Sequence, residues 1–239
     1  MPPTQNPKST RTIWWRDRVL PAVALALMAA GLWATRPADW SLGASPPDAD
    51  TQTCLSNLNR ISAAFAQYAQ DYDGKFPRGV DPEDRNNPNI WRYRKDKGYY
   101  NAANSAPMLH ELLQPYTRQA QVWHCPADVG WSGQPLPGMS SGLTDVHPSS
   151  YAKFGTSYYY LTRYGFAGVR ARELEYPDQA VALFDGAFWH NSGRSSTPAK
   201  NEDNNKSLNA LFADGHVANL SAARFQQALE LDIARWNGR

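Results

Sequence analysis

The chain has 239 residues and carries 24 Lys and Arg against 22 Asp and Glu, a formal net charge of +2. A balance so close to neutral gives no support for the basic surface that nucleic-acid binding needs, so we expect no nucleic-acid partner. The length suits one domain of ordinary size together with an anchor and a linker. The 16 Gly and 18 Pro residues indicate many turns around a modest core.

The N-terminal part of the sequence has the pattern of a membrane anchor. Residues 19–35 form an uncharged apolar segment. Four basic residues precede this segment, Lys8, Arg11, Arg16 and Arg18. Basic residues before a span predict that residues 1–18 are a cytoplasmic tail and that the chain crosses the inner membrane once. A cleavable signal peptide is the alternative, but no clear Ala-x-Ala site follows, so the pattern favours an uncleaved signal-anchor.

A Pro-rich linker, residues 36–50, separates this segment from a predicted long helix. The helix begins near Thr51 or Thr53, either of which can cap it, and ends at Asp73–Gly74. Apolar residues recur at steps of three or four along one stripe, which consists of Leu55, Leu58, Ile61, Phe65, Tyr68 and Tyr72.

The region after the long helix reads as two polar surface loops, residues 78–104 and residues 128–150, on either side of a second, short helix. That helix can open at residues 105–107. Its inner face would carry Leu109, Leu112, Leu113 and Tyr116.

The last third of the sequence predicts a small antiparallel sheet and a C-terminal helix. Four strand candidates lie at residues 156–161, 180–184, 208–213 and 216–220. Asp214–Gly215 between the last two predicts a two-residue type I′ hairpin turn. After Ser221, one helical stripe carries Phe225, Leu229, Ile233 and Trp236. The predicted class is α+β, with the long amphipathic helix packed on the sheet.

Five stretches, in this order along the chain, resemble the prepilin-type family named for its His-x9-Asp-Gly motif, which is related to type II secretion pseudopilins and other type IV pilin-like proteins. They are Cys54–Pro77, Leu112–Asp128, Ser157–Leu161, Tyr176–Gly186 and Asn209–Val217. The resemblance implies a pilin-like fold and an extracytoplasmic domain, residues 51–239, that is periplasmic or extracellular. It also implies a structural or assembly role in a secretion or pilus-like system, with protein partners among which copies of the chain itself are one alternative.

The chain departs from the family pattern in two places. The residues before the apolar segment lack the Gly and Glu of a prepilin processing site, and the Pro-rich linker separates the anchor from the long helix. The name-giving motif is also degenerate. Asp214, Gly215 and His216 are present, but Asn204 stands ten residues before Asp214, and the nearest histidine upstream is His190. An anchored accessory protein is therefore an alternative to a filament subunit.

The two cysteines fall inside the first two family-like stretches. In an exported domain a disulfide between Cys54 and Cys125 is the natural interpretation, and the resemblance strengthens it. Two buried free thiols are the alternative. An isolated pair lacks the four-ligand spacing of a structural zinc site.

Metal and enzyme functions are weaker hypotheses. Asp185, His190, Asp214 and His216 each lie at a strand end and could converge on a divalent transition metal, although Asp-Gly is also common at turns for backbone reasons. Residues 202–205 offer oxygen ligands for calcium but do not match an EF-hand. We find no nucleophile with a base nearby in sequence, and therefore predict no catalytic residue and no resident cofactor.

A binding module is the remaining alternative. The aromatic run Tyr158–Tyr160 could alternate between the core and an exposed surface of a strand. An exposed aromatic face would suit a carbohydrate or protein partner, so an anchored extracytoplasmic binding module stands as the second functional hypothesis, ahead of a metal-dependent enzyme.

Overall fold

A computed structural model of the chain describes residues 48–91, 98–133, 142–190 and 206–237, with the side chains of the last helix described as far as Leu231. The expected tail (residues 1–18), the expected anchor (residues 19–35) and all of the linker before Asp48 lie outside the described residues. Within the described ranges, no helix is both long enough and apolar enough to span a membrane.

Helix α1 spans Ala49–Asp71 and confirms the predicted long amphipathic helix. It begins slightly earlier than expected because Asp48 caps it, accepting a hydrogen bond from the Thr51 N–H at 2.7 Å. It ends where Asp73 and Gly74 take positive φ angles of 58° and 76°, a conformation that glycine adopts without steric cost. Its buried face includes Cys54, Leu58, Ile61, Ala64 and Tyr68.

Tyr72 is the exception on the predicted stripe. It lies just beyond the last turn of α1 and is 50% exposed. Its ring stacks on that of Tyr68 with centroids 4.1 Å apart. The end of α1 therefore presents an aromatic side chain to solvent.

Residues 78–104 contain two helices and a small apolar cluster, so the prediction of a polar surface loop is wrong. Helix α2 spans Pro82–Asn86 and helix α3 spans Tyr99–Ser105; residues 92–97 lie outside the described residues. A second hydrophobic cluster, distinct from the main core, consists of Val80, Trp91, Tyr99, Ala102, Ala103 and Phe166. Three acidic residues of this region, Asp81, Glu83 and Asp84, are buried and accept hydrogen bonds.

The predicted second helix is present as two single turns, α4 (Leu109–Leu112) and α5 (Gln114–Thr117). A 3-10 turn, Ala120–Trp123, follows. Pro115 lies at the start of α5, where its missing N–H costs little.

Residues 128–150 are likewise more ordered than a surface loop. Strand β1 (Trp131–Ser132) pairs antiparallel with β2 (Asp145–Val146). Trp131 is only 1% exposed, so this ribbon packs into the core. Residues 134–141 lie outside the described residues.

The main sheet has four antiparallel strands in the order β3-β4-β5-β6, which confirms the predicted small antiparallel sheet. The strands are β3 (Tyr158–Tyr160), β4 (Val181–Asp185), β5 (Ser207–Phe212) and β6 (Val217–Ser221). Three shorter elements lie among them: α6 (Ser150–Phe154) before β3, then α7 (Arg163–Phe166) and a 3-10 turn (Ala171–Glu173) between β3 and β4. The C-terminal helix, α8, spans Ala222–Asn237.

The sheet is covered on both faces. Side chains alternate along a strand, and the ring of Phe184 lies 5.0 Å from that of Phe225 in α8. The next residue, Asp185, points the other way and contacts His190, whose ring bonds Thr51 in α1. Helices α1 and α8 therefore lie on opposite faces of the sheet, and every residue of β3, β4 and β5 is buried.

Burial on both faces overturns the predicted role of the aromatic run. Tyr158, Tyr159 and Tyr160 are 1%, 6% and 2% exposed, so none of them contributes to a binding surface. The same burial explains why strands β4 and β5 read as nearly continuous apolar runs rather than as an alternating pattern.

The β5–β6 hairpin differs from the predicted type I′ turn. Its loop has three residues, 213–215, because Phe212 accepts a hydrogen bond from the Gly215 N–H and donates one to the His216 carbonyl. Only Gly215, at φ 95°, has a positive φ. A three-residue loop with one left-handed glycine is a common hairpin connection, and it does not require a positive φ at Asp214.

Candidate functional site

A disulfide between Cys54 and Cys125 joins helix α1 to the segment after the 3-10 turn Ala120–Trp123. Both cysteines are fully buried. The bond closes a loop with a sequence separation of 71 residues, which on a chain-entropy argument contributes ~4 kcal/mol to folding. It fixes the first turns of α1 to the core.

A buried histidine lies directly against this disulfide. His190 Nε2 is 3.6 Å from Cys125 Sγ and 3.1 Å from Asp185 Oδ2. On the other side of the ring, Nδ1 lies 2.9 Å from Thr51 Oγ1. We call these residues, with Asn209, whose Nδ2 is 2.9 Å from His190 Nε2, the disulfide–histidine cluster.

The charge state of His190 follows from two opposing effects. Burial by itself lowers the pKa of His190, but the negative charge and the hydrogen bond of Asp185 outweigh burial and raise that pKa above its ordinary value. Asp185 Oδ2 also accepts a hydrogen bond from the Asn209 N–H at 2.6 Å. The geometry therefore favours an imidazolium–carboxylate pair inside the protein.

The four predicted metal candidates do not converge, which corrects that hypothesis. Strands β4 and β5 are antiparallel, with Val181 opposite Phe212 and Phe184 opposite Ala210. Asp185 and His190 therefore lie at one end of the sheet, whereas Asp214 and His216, beyond Phe212, lie at the other. The structure divides the set into one buried pair and one exposed pair.

The exposed pair belongs to the hairpin loop. His216 Nδ1 lies 2.6 Å from Asp214 Oδ1, and the His216 ring stacks on Phe212 with centroids 4.2 Å apart. The carbonyl of Gly215 accepts a hydrogen bond from Ser62 Oγ at 2.8 Å. The Asp214–Gly215 motif thus docks the hairpin loop on helix α1, a structural role.

A Ser-His-Asp combination occurs on the β1–β2 ribbon, but its geometry is not that of a catalytic relay. Ser132 Oγ lies 2.9 Å from His147 Nε2, and Asp145 Oδ1 lies 3.3 Å from the same nitrogen. In a relay the carboxylate holds the opposite ring nitrogen, so that the base faces the hydroxyl. Here hydroxyl and carboxylate share one nitrogen on an exposed surface.

A buried acidic cluster that the sequence patterns did not predict lies in α2 and the residue before it. Asp81 accepts hydrogen bonds from the N–H groups of Asp84 (2.9 Å) and Tyr160 (3.2 Å). Asp84 accepts from Trp91 Nε1 at 2.5 Å and from the Thr162 hydroxyl. One signal could have revealed α2, since Asp81 followed by Pro82 and two acidic residues is a typical helix start.

Burial dominates the titration of this cluster. Burial raises the pKa of Asp84 to about 6, against the lowering effect of its hydrogen bonds. Burial, together with the charge of Asp84, raises the pKa of Asp81. Because all four carboxylate oxygens already accept hydrogen bonds, the cluster serves to connect α2 with strand β3 and the Trp91 segment.

Asp128 is a second buried acceptor that the sequence did not reveal as such. Its two oxygens accept hydrogen bonds from the N–H groups of Gly130, Ser150 and Tyr151 and from the Ser157 hydroxyl, at 2.7–3.0 Å. Ser157 Oγ in turn accepts from the Cys125 N–H at 3.0 Å. Asp128 therefore fixes the residues around β1, β2 and β3 next to the disulfide.

Among the described residues, one group of potential metal ligands lies close together. The ligand atoms of Cys54, Cys125 and His190 are all within 4.8 Å of one another. In the disulfide form the sulfurs are bound to each other and are not free thiolates. Residues 202–205, weighed above as an alternative set of calcium ligands, lie outside the described residues.

Comparison with known proteins adds no assignment: no protein-family model, curated protein or solved structure matches the chain. Its function is therefore inferred from the residues and contacts described above.

Proposed function

We propose that this protein is a membrane-anchored, pilin-like structural or assembly component of a type II secretion or pilus-like system, and not an enzyme. One observation carries the proposal: a long amphipathic helix packs along a small antiparallel sheet, and the Cys54–Cys125 disulfide bonds that helix covalently to the core segment after the 3-10 turn Ala120–Trp123. A pilin-like head needs this rigid joining of helix and sheet.

The contacts between the family-like stretches support the same proposal. The stretch Cys54–Pro77 is bonded to the stretch Leu112–Asp128 by the Cys54–Cys125 disulfide. It also contacts the stretch Asn209–Val217 through the Ser62–Gly215 hydrogen bond. The second stretch holds the third through Asp128 and Ser157. Residues that carry the resemblance thus stabilise one another, as expected of a scaffold rather than of a catalytic centre.

The disulfide also supports an extracytoplasmic location for the folded domain. Disulfides persist in oxidising compartments and are rare in the cytosol. Together with the apolar segment at residues 19–35, this favours a single-pass protein of the inner membrane whose C-terminal domain is periplasmic or extracellular. The expected partners are components of the assembly, including other copies of the chain.

Photo-crosslinking in native membranes tests the proposal. A photoreactive aromatic amino acid replaces Tyr72 or, separately, Tyr176, which are 50% and 41% exposed. We expect a ladder of self-adducts, or adducts with a fixed set of membrane-assembly proteins, from at least one site. The matched control is the same irradiation after dilution in detergent, which disperses weak assemblies and should remove the adducts.

The alternatives give different outcomes. An adduct confined to an exported glycoprotein or polysaccharide supports the binding module, and monomer alone at both sites contradicts the assembly role. N-terminal sequencing of the mature protein tests the anchor separately. We expect the intact N-terminus, whereas a new N-terminus after residue 30 indicates signal-peptidase cleavage and contradicts an anchored topology.

A further inference from the structure

The disulfide–histidine cluster has the composition and spacing of a metal site whose two sulfurs are oxidised. We propose that the thiol form of this protein binds one zinc ion through Cys54, Cys125 and His190, with Asp185 as the fourth ligand. This inference is independent of the proposed assembly role. Every disulfide-bonded chain is synthesised with free thiols, so the two-thiol form needs no special reductant.

The distances around His190 fit a shared metal ion. Tetrahedral zinc sites have Zn–S bonds of about 2.3 Å and Zn–N or Zn–O bonds of about 2.0 Å, so that a nitrogen and a sulfur bound to one ion lie about 3.5 Å apart. His190 Nε2 is 3.6 Å from Cys125 Sγ and 3.1 Å from Asp185 Oδ2. His190 Nε2 therefore already lies near the separation that a shared ion imposes from both Cys125 Sγ and Asp185 Oδ2, and the ligand atoms of Cys54, Cys125 and His190 lie within 4.8 Å of one another.

The hydrogen bonding of the His190 ring is that of a metal ligand. A metal-bound histidine typically donates its other ring N–H to a hydrogen-bond acceptor, which fixes the tautomer and the ring orientation. His190 Nδ1 lies 2.9 Å from Thr51 Oγ1, so with a proton on Nδ1 the Nε2 lone pair can coordinate an ion in place of its 2.9 Å contact with Asn209 Nδ2. Nε2 is also the nitrogen that faces the sulfur and the carboxylate.

Asp185 has a carboxylate oxygen that no hydrogen-bond donor among the described residues reaches. This carboxylate is fully buried, and its Oδ1 accepts no hydrogen bond from any residue that the structure describes. A buried carboxylate oxygen without a donor is costly, and a cation beside it would remove that cost. The composition of two thiolates, one imidazole and one carboxylate suits zinc better than calcium or magnesium.

Binding and release are balanced reactions. Zinc binding converts two thiols to thiolates and the His190 imidazolium to imidazole, so that three protons are released, while the sulfurs separate to about 3.8 Å, the edge of a tetrahedron with these bond lengths. Disulfide formation then transfers two electrons from the two thiolates to an external disulfide, which takes up two protons from solvent to become two thiols, and the ion leaves. Zinc and the disulfide are thus alternative cross-links between helix α1 and the core.

The test uses the full chain in detergent, reduced in denaturant with a phosphine and refolded without oxygen in the presence of Co²⁺ or Zn²⁺. We expect one equivalent of Co²⁺ bound, with the visible bands of a tetrahedral ion and a near-ultraviolet thiolate-to-cobalt band. Zn²⁺ should displace the cobalt and raise the melting temperature of the reduced protein. The oxidised protein should bind neither ion.

Matched variants separate this site from adventitious binding. His190→Ala should weaken zinc binding at least a hundredfold, and Asp185→Asn should weaken it about tenfold and alter the cobalt spectrum. His216→Ala, at the exposed end of the sheet, should bind as the wild type does. Unaltered binding by His190→Ala overturns the proposal. So does a reduced wild type that binds less than one equivalent, whether circular dichroism shows it folded or unfolded.

Discussion

His190 and Asp185 form an ion pair that is closed to solvent: Nε2 and Oδ2 are 3.1 Å apart, and both side chains have no exposed area. The pair lies against the disulfide and joins the end of strand β4 to the first turn of helix α1 through Thr51. Burying two charges costs desolvation free energy, and the attraction between the two partners offsets that cost. Removing either charge therefore leaves the other without compensation. The protonation of His190 is therefore linked to folding.

This linkage predicts a loss of stability as the pH rises above about 6.5, the ordinary pKa of histidine. The pKa of His190 is raised in the folded protein, so the stabilisation is complete below the unfolded value and disappears as the pH passes through the folded one. Urea unfolding of the oxidised protein between pH 6 and 9 measures the effect. His190→Gln and Asp185→Asn should each flatten this part of the profile, and a wild-type slope in His190→Gln would contradict the prediction.

Because of the disulfide, we expect both the electrophoretic mobility and the stability of the protein to depend on its redox state. Oxidised wild-type protein should run faster on non-reducing electrophoresis than reduced protein, and Cys54→Ala should abolish the difference. Because the bond closes a long loop, its loss should cost roughly 2–5 kcal/mol of unfolding free energy. Comparing Cys54→Ala with reduced wild type, both in a metal chelator, separates the bond from the packing of the side chain. Two free thiols in denatured, unreduced protein would show the pairing to be wrong.

The acidic cluster of Asp81 and Asp84 should make the stability of the protein depend on pH a second time, in a lower pH range. The pKa of Asp84 is raised to about 6, so between pH ~4 and ~6 the folded protein binds more protons than the unfolded chain and its stability falls as the pH rises. The full change is about 3 kcal/mol for a shift of this size. Asp84→Asn should flatten this window in urea unfolding.

A further variant tests the cause of that shift. The hydrogen bond from Trp91 to Asp84 lowers the pKa that burial raises, so Trp91→Phe should move the transition to higher pH. A transition that remains in place in Asp84→Asn would assign it to another group, Asp81 first, because burial raises its pKa as well.

The contrast between helix α1 and the acidic cluster shows what the sequence can predict. The stripe of α1 and the strand candidates depend on local periodicity, and their positions agree with the structure to within a few residues. Asp81 and Asp84 look like loop residues because their polarity is local, whereas their donors, Tyr160 and Thr162, lie about 80 residues away. No local pattern reports such partners.

The residues of the candidate site were likewise predictable from the sequence only in part. The sequence singled out Cys54, Cys125, Asp185 and His190, but it grouped the last two with Asp214 and His216 because all four lie at strand ends. Strand direction decides which ends meet, and the antiparallel register of β4 and β5 separates the two pairs. That register depends on tertiary packing, which a list of strand ends does not contain.

Removal of the Asp128 carboxylate should lower the unfolding free energy strongly. Asp128→Ala leaves three backbone N–H groups and one hydroxyl without their acceptor, and each unsatisfied buried donor costs about 1–3 kcal/mol. We expect a loss of at least about 3 kcal/mol in urea unfolding. Asp145→Ala is the control, since its side chain is 76% exposed and the change should stay within about 0.5 kcal/mol.

Two glycines in one short segment give a matched test of close packing. A Cβ at Gly165 would lie 2.1 Å from the carbonyl oxygen of Pro77, and that oxygen is held in place by a 3.0 Å hydrogen bond from the Tyr160 hydroxyl. Gly165→Ala should therefore cost roughly 3 kcal/mol or more, because rigid backbone must shift.

Gly168 lies only three residues away but has open space around its Cα, with nothing within 4 Å of an added Cβ and a φ of 64°. Gly168→Ala should cost about 1 kcal/mol, the strain of a left-handed alanine. Thermal and urea unfolding of the two variants side by side measure the difference. Equal losses would mean that α7 does not pack against residues 77–78 as closely as described, and that backbone conformation alone accounts for both glycines.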